Sequence, residues 1–299
     1  MITQLLQIKL QPDYPLLLGQ ATWYYDIPVN AFGAFLGIAG AWCLYYHQIK
    51  KKRNDKLTYA SSLLKSIIDT SKKQSENCKD LSDKIKKTPT ELHLLPFIAS
   101  HNLKRLANKV DQEAFYHAFL SKYKRKPSSY NTFNGLYACI DFIDQQIDEL
   151  KSSNEKEFRS ITERKKQYAE CFELGLQKAA LMLNNPNLQT QSKLLDFVDS
   201  TIKTFFQNRT DTGDITYTQN TFVIPIRDEL IKNYDNVPEC MEIILLLKNA
   251  TNHYSGIERQ SNAFSNDLVE FNKTIMQEAN KLEDITKKLM EDFNPKPFR

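Results

Sequence analysis

Glycine and proline are scarce in this chain, with 8 and 11 respectively in 299 residues. That argues against β-sandwiches and other turn-rich folds, which need such residues at every reversal. Cysteine is no richer. The five thiols, Cys43, Cys78, Cys139, Cys171 and Cys240, are odd in number and far apart, with no Cys-x-x-Cys pair. Neither a disulfide framework nor a zinc knuckle follows from that spacing, and a reducing compartment fits it. Phosphate-binding glycine loops, His-Glu-x-x-His helices and Gly-x-Ser-x-Gly elbows do not occur in the sequence, so no cofactor or metal is expected. Excess charge is also small. The net +4 equals the run Lys50, Lys51, Lys52 and Arg53, so the rest of the chain is balanced and nucleic acid is not the expected partner.

What is present is a charge-free stretch from Ile27 to Ile49, with Asp26 before it and Lys50 after it. As a helix it would extend about 34 Å, against a hydrocarbon core of roughly 30 Å. Trp23, Tyr24 and Tyr25 flank one end and Trp42, Tyr45 and Tyr46 the other, as in the aromatic belts of membrane interfaces. The sequence therefore predicts a single transmembrane helix over 27–49 and the lipid bilayer as a partner. The four basic residues at 50–53 lie on its C-terminal side, whereas residues 1–26 carry Lys9 against Asp13 and Asp26. The positive-inside rule then places residues 1–26 outside the cell and the bulk of the chain in the cytoplasm, at the inner or plasma membrane. Lys50, Lys51, Lys52 and Arg53 would also contact anionic headgroups. Gly33, Gly37 and Ala41 recur every four residues and share a helix face, a pattern that lets a second helix pack closely.

Beyond the span the reading is all-α, a long-helix bundle. A juxtamembrane helix over 50–87 keeps helical spacing through Leu57, Leu64, Ile67 and Ile68, and a bundle domain covers 88–299. Thr88, Pro89 and Glu91 have the spacing of a capping box, which predicts a helix start at Thr88, broken near Pro96. Asp111 caps a short helix carrying Phe115 and Phe119. A very long helix is expected from Tyr130 to about Leu183, and another carries Leu194, Val198 and Phe205. Residues 207–224, with Gly213 and a series of threonines, read as a loop, at most a short irregular or hairpin insertion. After Pro238, Ile257, Phe264, Leu268, Phe271, Ile275, Leu282, Ile285 and Leu289 form a near-heptad apolar seam.

Two stretches hold candidate chemistry. Glu113 and His117 are four apart on one helix, a surface pair with too few ligands for a metal. Lys248, Asn249, Ala250, Thr251, Asn252 and His253 resemble the Arg-Asn-x-x-x-His motif of HEPN ribonucleases. Those are helical and often dimeric, and the resemblance implies a composite RNA-cleaving site with Lys248 and His253 in the motif positions. Lys248 departs from the family by replacing arginine, which loses the planar fork used against phosphate. The main expectation is a membrane-anchored helical protein acting through a protein partner or its own copies, as a scaffold, sensor or signalling adaptor. The alternative is a membrane-tethered HEPN-like nuclease.

Overall fold

The computed structural model describes residues 23–98, 101–123, 127–209 and 213–291; the side chains of 23–30, 107–109, 121–123, 127–129 and 289–291 lie outside that description. Among the described residues the fold is all-helical, 89% helix with no strand. The elements are α1 (Trp23–Lys87), α2 (His101–Lys109), α3 (Gln112–Tyr123), α4 (Pro127–Met182), α5 (Ser192–Gln207), α6 (Ile215–Thr218), a π-helical turn (Gln219–Val223), α7 (Ile224–Asn233) and α8 (Pro238–Glu291). The chain divides into two compact units, Met1–Lys56 and Leu57–Arg299.

In the first unit, the described part of α1 has no core. Phe32, Phe35, Leu36, Ile38, Trp42 and Leu44 are all exposed. The predicted span over 27–49 is not reproduced there: among the described residues, no helix is long and apolar enough to cross a membrane. The side chains of residues 27–30, which open that run, lie outside the described residues, and Tyr45, Tyr46, His47 and Gln48 make its far end polar.

The second unit is built on α4 and α8, which run antiparallel. Gly135 faces Ile285, Arg164 faces Gly256 and Gly175 faces Leu247, so numbers rise along one helix as they fall along the other. The remainder of α1 joins them. Ser82 and Ser265 exchange hydrogen bonds, each Oγ donating to the other's carbonyl at 3.0 and 3.1 Å, and Ser75 Oγ donates to the Asn272 carbonyl at 2.8 Å. Side chains this small let two backbones come close enough for such contacts. Leu57, Leu64, Ile67 and Ile68 pack with Phe115, Phe119, Phe133, Leu136, Ile140 and Leu282 in one buried cluster. Each such side chain stabilises the fold by about 1.5–3 kcal/mol. Of the expected α8 seam, Ile257, Phe264, Leu268, Ile275 and Leu282 are buried, Phe271 and Ile285 are half-buried, and Leu289 lies outside the described side chains.

α1 ends at Lys87, while α4 and α8 continue. Along that extension α5, the π-helical turn and α7 take its place, packing Phe205, Phe222, Val223, Ile226 and Leu230 against Phe172, Ile243 and Leu247.

Two local expectations are corrected. Thr88 does not open a helix. Its amide donates to the Lys84 carbonyl at 3.0 Å and so finishes α1, and its hydroxyl lies 2.8 Å from His93 Nε2 instead of capping a new turn. Residues 88–98 form a non-helical strap because Pro96 bars a helix here. The strap folds back along α1, Asn77 Nδ2 donating to the Pro96 carbonyl and the Ile98 amide to Gln74 Oε1. Residues 213–224 contain no hairpin. Asp214 Oδ1 accepts from the Tyr217 amide at 2.9 Å and starts α6. Thr218 and Thr221 return their hydroxyls to carbonyls four residues back, which threonine does readily in helices. The widened π turn then brings Gln219, Phe222 and Val223 all to the inside. By contrast Asp111 does cap α3, its Oδ1 accepting from the Ala114 amide at 3.1 Å.

Candidate functional site

The residues singled out by sequence fall into three groups. On α1 of the first unit, Trp42 and Tyr46 stack with ring centroids 6.3 Å apart, and Tyr45 is exposed beside them. Trp23, Tyr24 and Tyr25 lie outside the described side chains. Gly33 and Gly37 face open space, with nothing within 4 Å of where a Cβ would stand, and Ala41 is exposed on the same face. Lys50, Lys51, Lys52 and Arg53 are exposed one after another.

On α8, Lys248 is exposed and His253 half-buried. Five residues on a helix turn about 140° past a full revolution, so the two side chains leave on different faces. Within one chain they do not converge. On α3, His117 Nε2 stands 3.7 Å from Glu113 Oε1 in solvent, a surface pair.

Sequence reasoning missed a polar cleft of about 460 Å³ in the second unit, which falls where α1 stops and α6 begins. That volume is in the range of small-molecule sites. The turn after α1 is closed by the Glu91 amide donating to the Thr88 carbonyl at 3.1 Å. Thr90 is buried, and its Oγ1 lies 2.8 Å from Thr216 Oγ1, which ties the turn to α6. Thr216 Oγ1 also accepts from Tyr254 OH at 3.5 Å, adding α8. Tyr168 of α4 donates to the Ile215 carbonyl at 3.3 Å and holds the α6 backbone from below.

Charge in the cleft is arranged in two levels. Lys165 of α4 and Glu258 of α8 are half-buried, whereas Lys87, Glu91 and Asp214 are exposed at the rim. Burial pushes the Lys165 ammonium below the usual lysine range, and the Glu91 carboxylate opposes that shift without cancelling it. Burial also raises the Tyr254 phenol; its hydrogen bond with Thr216 offsets this in part, and Glu258 adds to it. Nothing local in the sequence signals this cleft: its lining comes from positions 87–91, 165, 213–216, 254 and 258, joined only by the tertiary fold.

Three of the five thiols are ordinary core groups. Cys78, Cys139 and Cys240 are buried, and burial pushes each up to about 11. At neutral pH such groups are thiols, not nucleophilic thiolates.

In comparisons with known proteins, no family model, curated protein or solved structure matches the chain.

Proposed function

We propose that this chain is a membrane-anchored helical protein that acts by binding other proteins, as a scaffold, sensor or signalling adaptor. The observation that carries the anchor is the apolar surface of α1 before Lys50. Phe35, Ile38, Trp42 and Leu44 are each at least 66% exposed, on a helix whose glycines face open space. Large apolar side chains left uncovered in that density mark a surface that meets lipid or another protein. Residues 27–30, which complete the charge-free run of 23, are Ile-Pro-Val-Asn and carry no charge. The following basic run fits the cytoplasmic side of a bilayer.

The bundle supports an interaction role by its surface. Leu94, Leu181, Phe206 and Leu245 are exposed apolar side chains on a domain whose net charge is close to zero. The anchor is tested by alkaline carbonate extraction of membranes carrying the full-length chain. The native protein should stay in the pellet, and the Leu36→Lys/Ile38→Lys variant should be released, since each central lysine costs roughly 2.5–3.5 kcal/mol of insertion. Release of the native chain would contradict the anchor. Partner binding is tested by crosslinking the detergent-extracted chain and identifying what co-purifies.

A further inference from the structure

We infer that the cleft at the end of α1 binds a small zwitterion of amino-acid size, its carboxylate against Lys165 and its ammonium against Glu258. This goes beyond the anchor and partner reading and does not depend on where the chain resides.

Size is the first ground. About 460 Å³ accommodates an amino acid with its side chain, and the cleft is assembled from the end of α1, the turn after it, α4, α6 and α8. A gap bordered by that many elements is shaped by the whole fold, unlike a groove on one helix.

Charge is the second ground. Among the described residues, ion pairs are formed by neither Lys165 nor Glu258. One cation and one carboxylate are therefore held half-buried in the same cleft with no ion pair between them, Lys165 feeling the rim carboxylate of Glu91 and Glu258 acting on the Tyr254 phenol. A dicarboxylate would satisfy Lys165 and be repelled by Glu258, Glu91 and Asp214. A diamine would do the reverse at Lys165 and Lys87. A ligand carrying both charges meets both ends. A divalent metal is a poor fit, because among the described residues no three His, Cys, Asp or Glu side chains are grouped to hold one.

Hydrogen bonding is the third ground. Tyr254, Thr216 and Thr90 line the cleft or tie its wall, and their hydroxyls both donate and accept. They can serve a carboxylate or an ammonium without further desolvated charge. The short α6 contributes side chains here.

The test is calorimetric titration of the full-length, detergent-solubilised chain with the common L-α-amino acids as probes. At least one should bind. Its N-acetyl derivative, which lacks the ammonium, and its amide, which lacks the carboxylate, should each bind at least tenfold more weakly. Lys165→Met and Glu258→Gln should each cost at least tenfold in affinity for the parent amino acid. Circular dichroism and melting of both variants would show that the fold survives, and Thr216→Val gives a second, uncharged perturbation that should weaken binding by a smaller factor. If no amino acid binds, if a derivative lacking one charge binds as well as its parent, or if both folded charge variants keep full affinity, the inference is wrong.

Discussion

The side chain of Arg164 lies across the backbone of Gly256, so closely that a Cβ at 256 would stand 2.6 Å from Nη1. Arg164 Nε donates to Gln260 Oε1 at 3.0 Å, Ser160 Oγ donates to the same oxygen, and Gln260 Nε2 donates to Glu157 Oε2 at 2.9 Å. The missing side chain at 256 is thus what allows a charged network to bridge α4 and α8.

Gly256→Ala should therefore destabilise the protein by about 1 kcal/mol, because the lost charged hydrogen bond, worth about 1.5–3 kcal/mol, outweighs about 1 kcal/mol of helix propensity. All three of the nearest atoms to that Cβ belong to Arg164. In an Arg164→Ala background the same substitution should become stabilising by about 1 kcal/mol. Denaturant melts of the four proteins in this cycle decide it, and an unchanged sign in both backgrounds would refute the packing argument.

The other glycines of the α4–α8 seam give a contrast. At Gly135 a Cβ would meet only Ile285 Cδ1, at an ordinary 3.8 Å. Gly135→Ala should stabilise by about 0.5–1 kcal/mol through helix propensity. At Gly175 it would fall 2.8 Å from Cδ2 of Leu247, which is fully buried. Overpacking there costs about 1–3 kcal/mol, so Gly175→Ala should lower the melting temperature where Gly135→Ala raises it.

Glu157 makes the seam sensitive to pH. Burial is the main cause holding its carboxyl above the usual range. Gln260 opposes this by hydrogen bonding, Asp267 adds to it, and Arg164 and Lys156 oppose it. A carboxyl whose folded value is raised favours the fold when neutral. That contribution is full below the ordinary glutamate value of about 4.3 and is lost as pH rises through the raised folded value. Glu157→Gln should accordingly raise the melting temperature at neutral pH, and its advantage should shrink as the pH falls towards 4. A variant less stable than the parent at every pH would show that the charge is needed.

Much of this architecture was legible in the chain. α4 begins and ends close to its expected bounds and α8 begins at Pro238, because Asn184-Asn185-Pro186 and Pro238 are strong stop and start signals and the apolar spacing is regular. Local rules failed where two meanings compete. Thr88-Pro89-Thr90-Glu91 has the letters of a capping box, but Thr88 is the end of the preceding helix, and only the position of α1 decides that. Around Ile215–Ile224, glycine and a series of threonines read as a loop, whereas the threonine hydroxyls fold back on the helix and a π turn absorbs the irregular spacing. The cleft was illegible for a different reason. Lys165 and Glu258 are 93 positions apart, and no periodicity links them.

Association through α1 is checked at Gly37, which faces open space on the same side as Gly33 and Ala41. If two copies meet on that face, Gly37→Ile should reduce crosslinked dimer of the full-length chain in membranes several-fold, because the added side chain separates the backbones. Unchanged crosslinking would assign any self-association to the bundle.

The central claim is that residues 27–49 cross a bilayer with the helical domain on the cytoplasmic side, and cysteine labelling tests it most directly. Of the native thiols, Cys43 is exposed on α1, so both single-cysteine proteins are built on a background lacking all five. A membrane-impermeant maleimide applied to intact cells should modify a cysteine placed at Gln4 and spare one placed at Ser192, which should react only after the membrane is opened. Labelling of Ser192 from outside, or protection of both positions until lysis, would contradict the account.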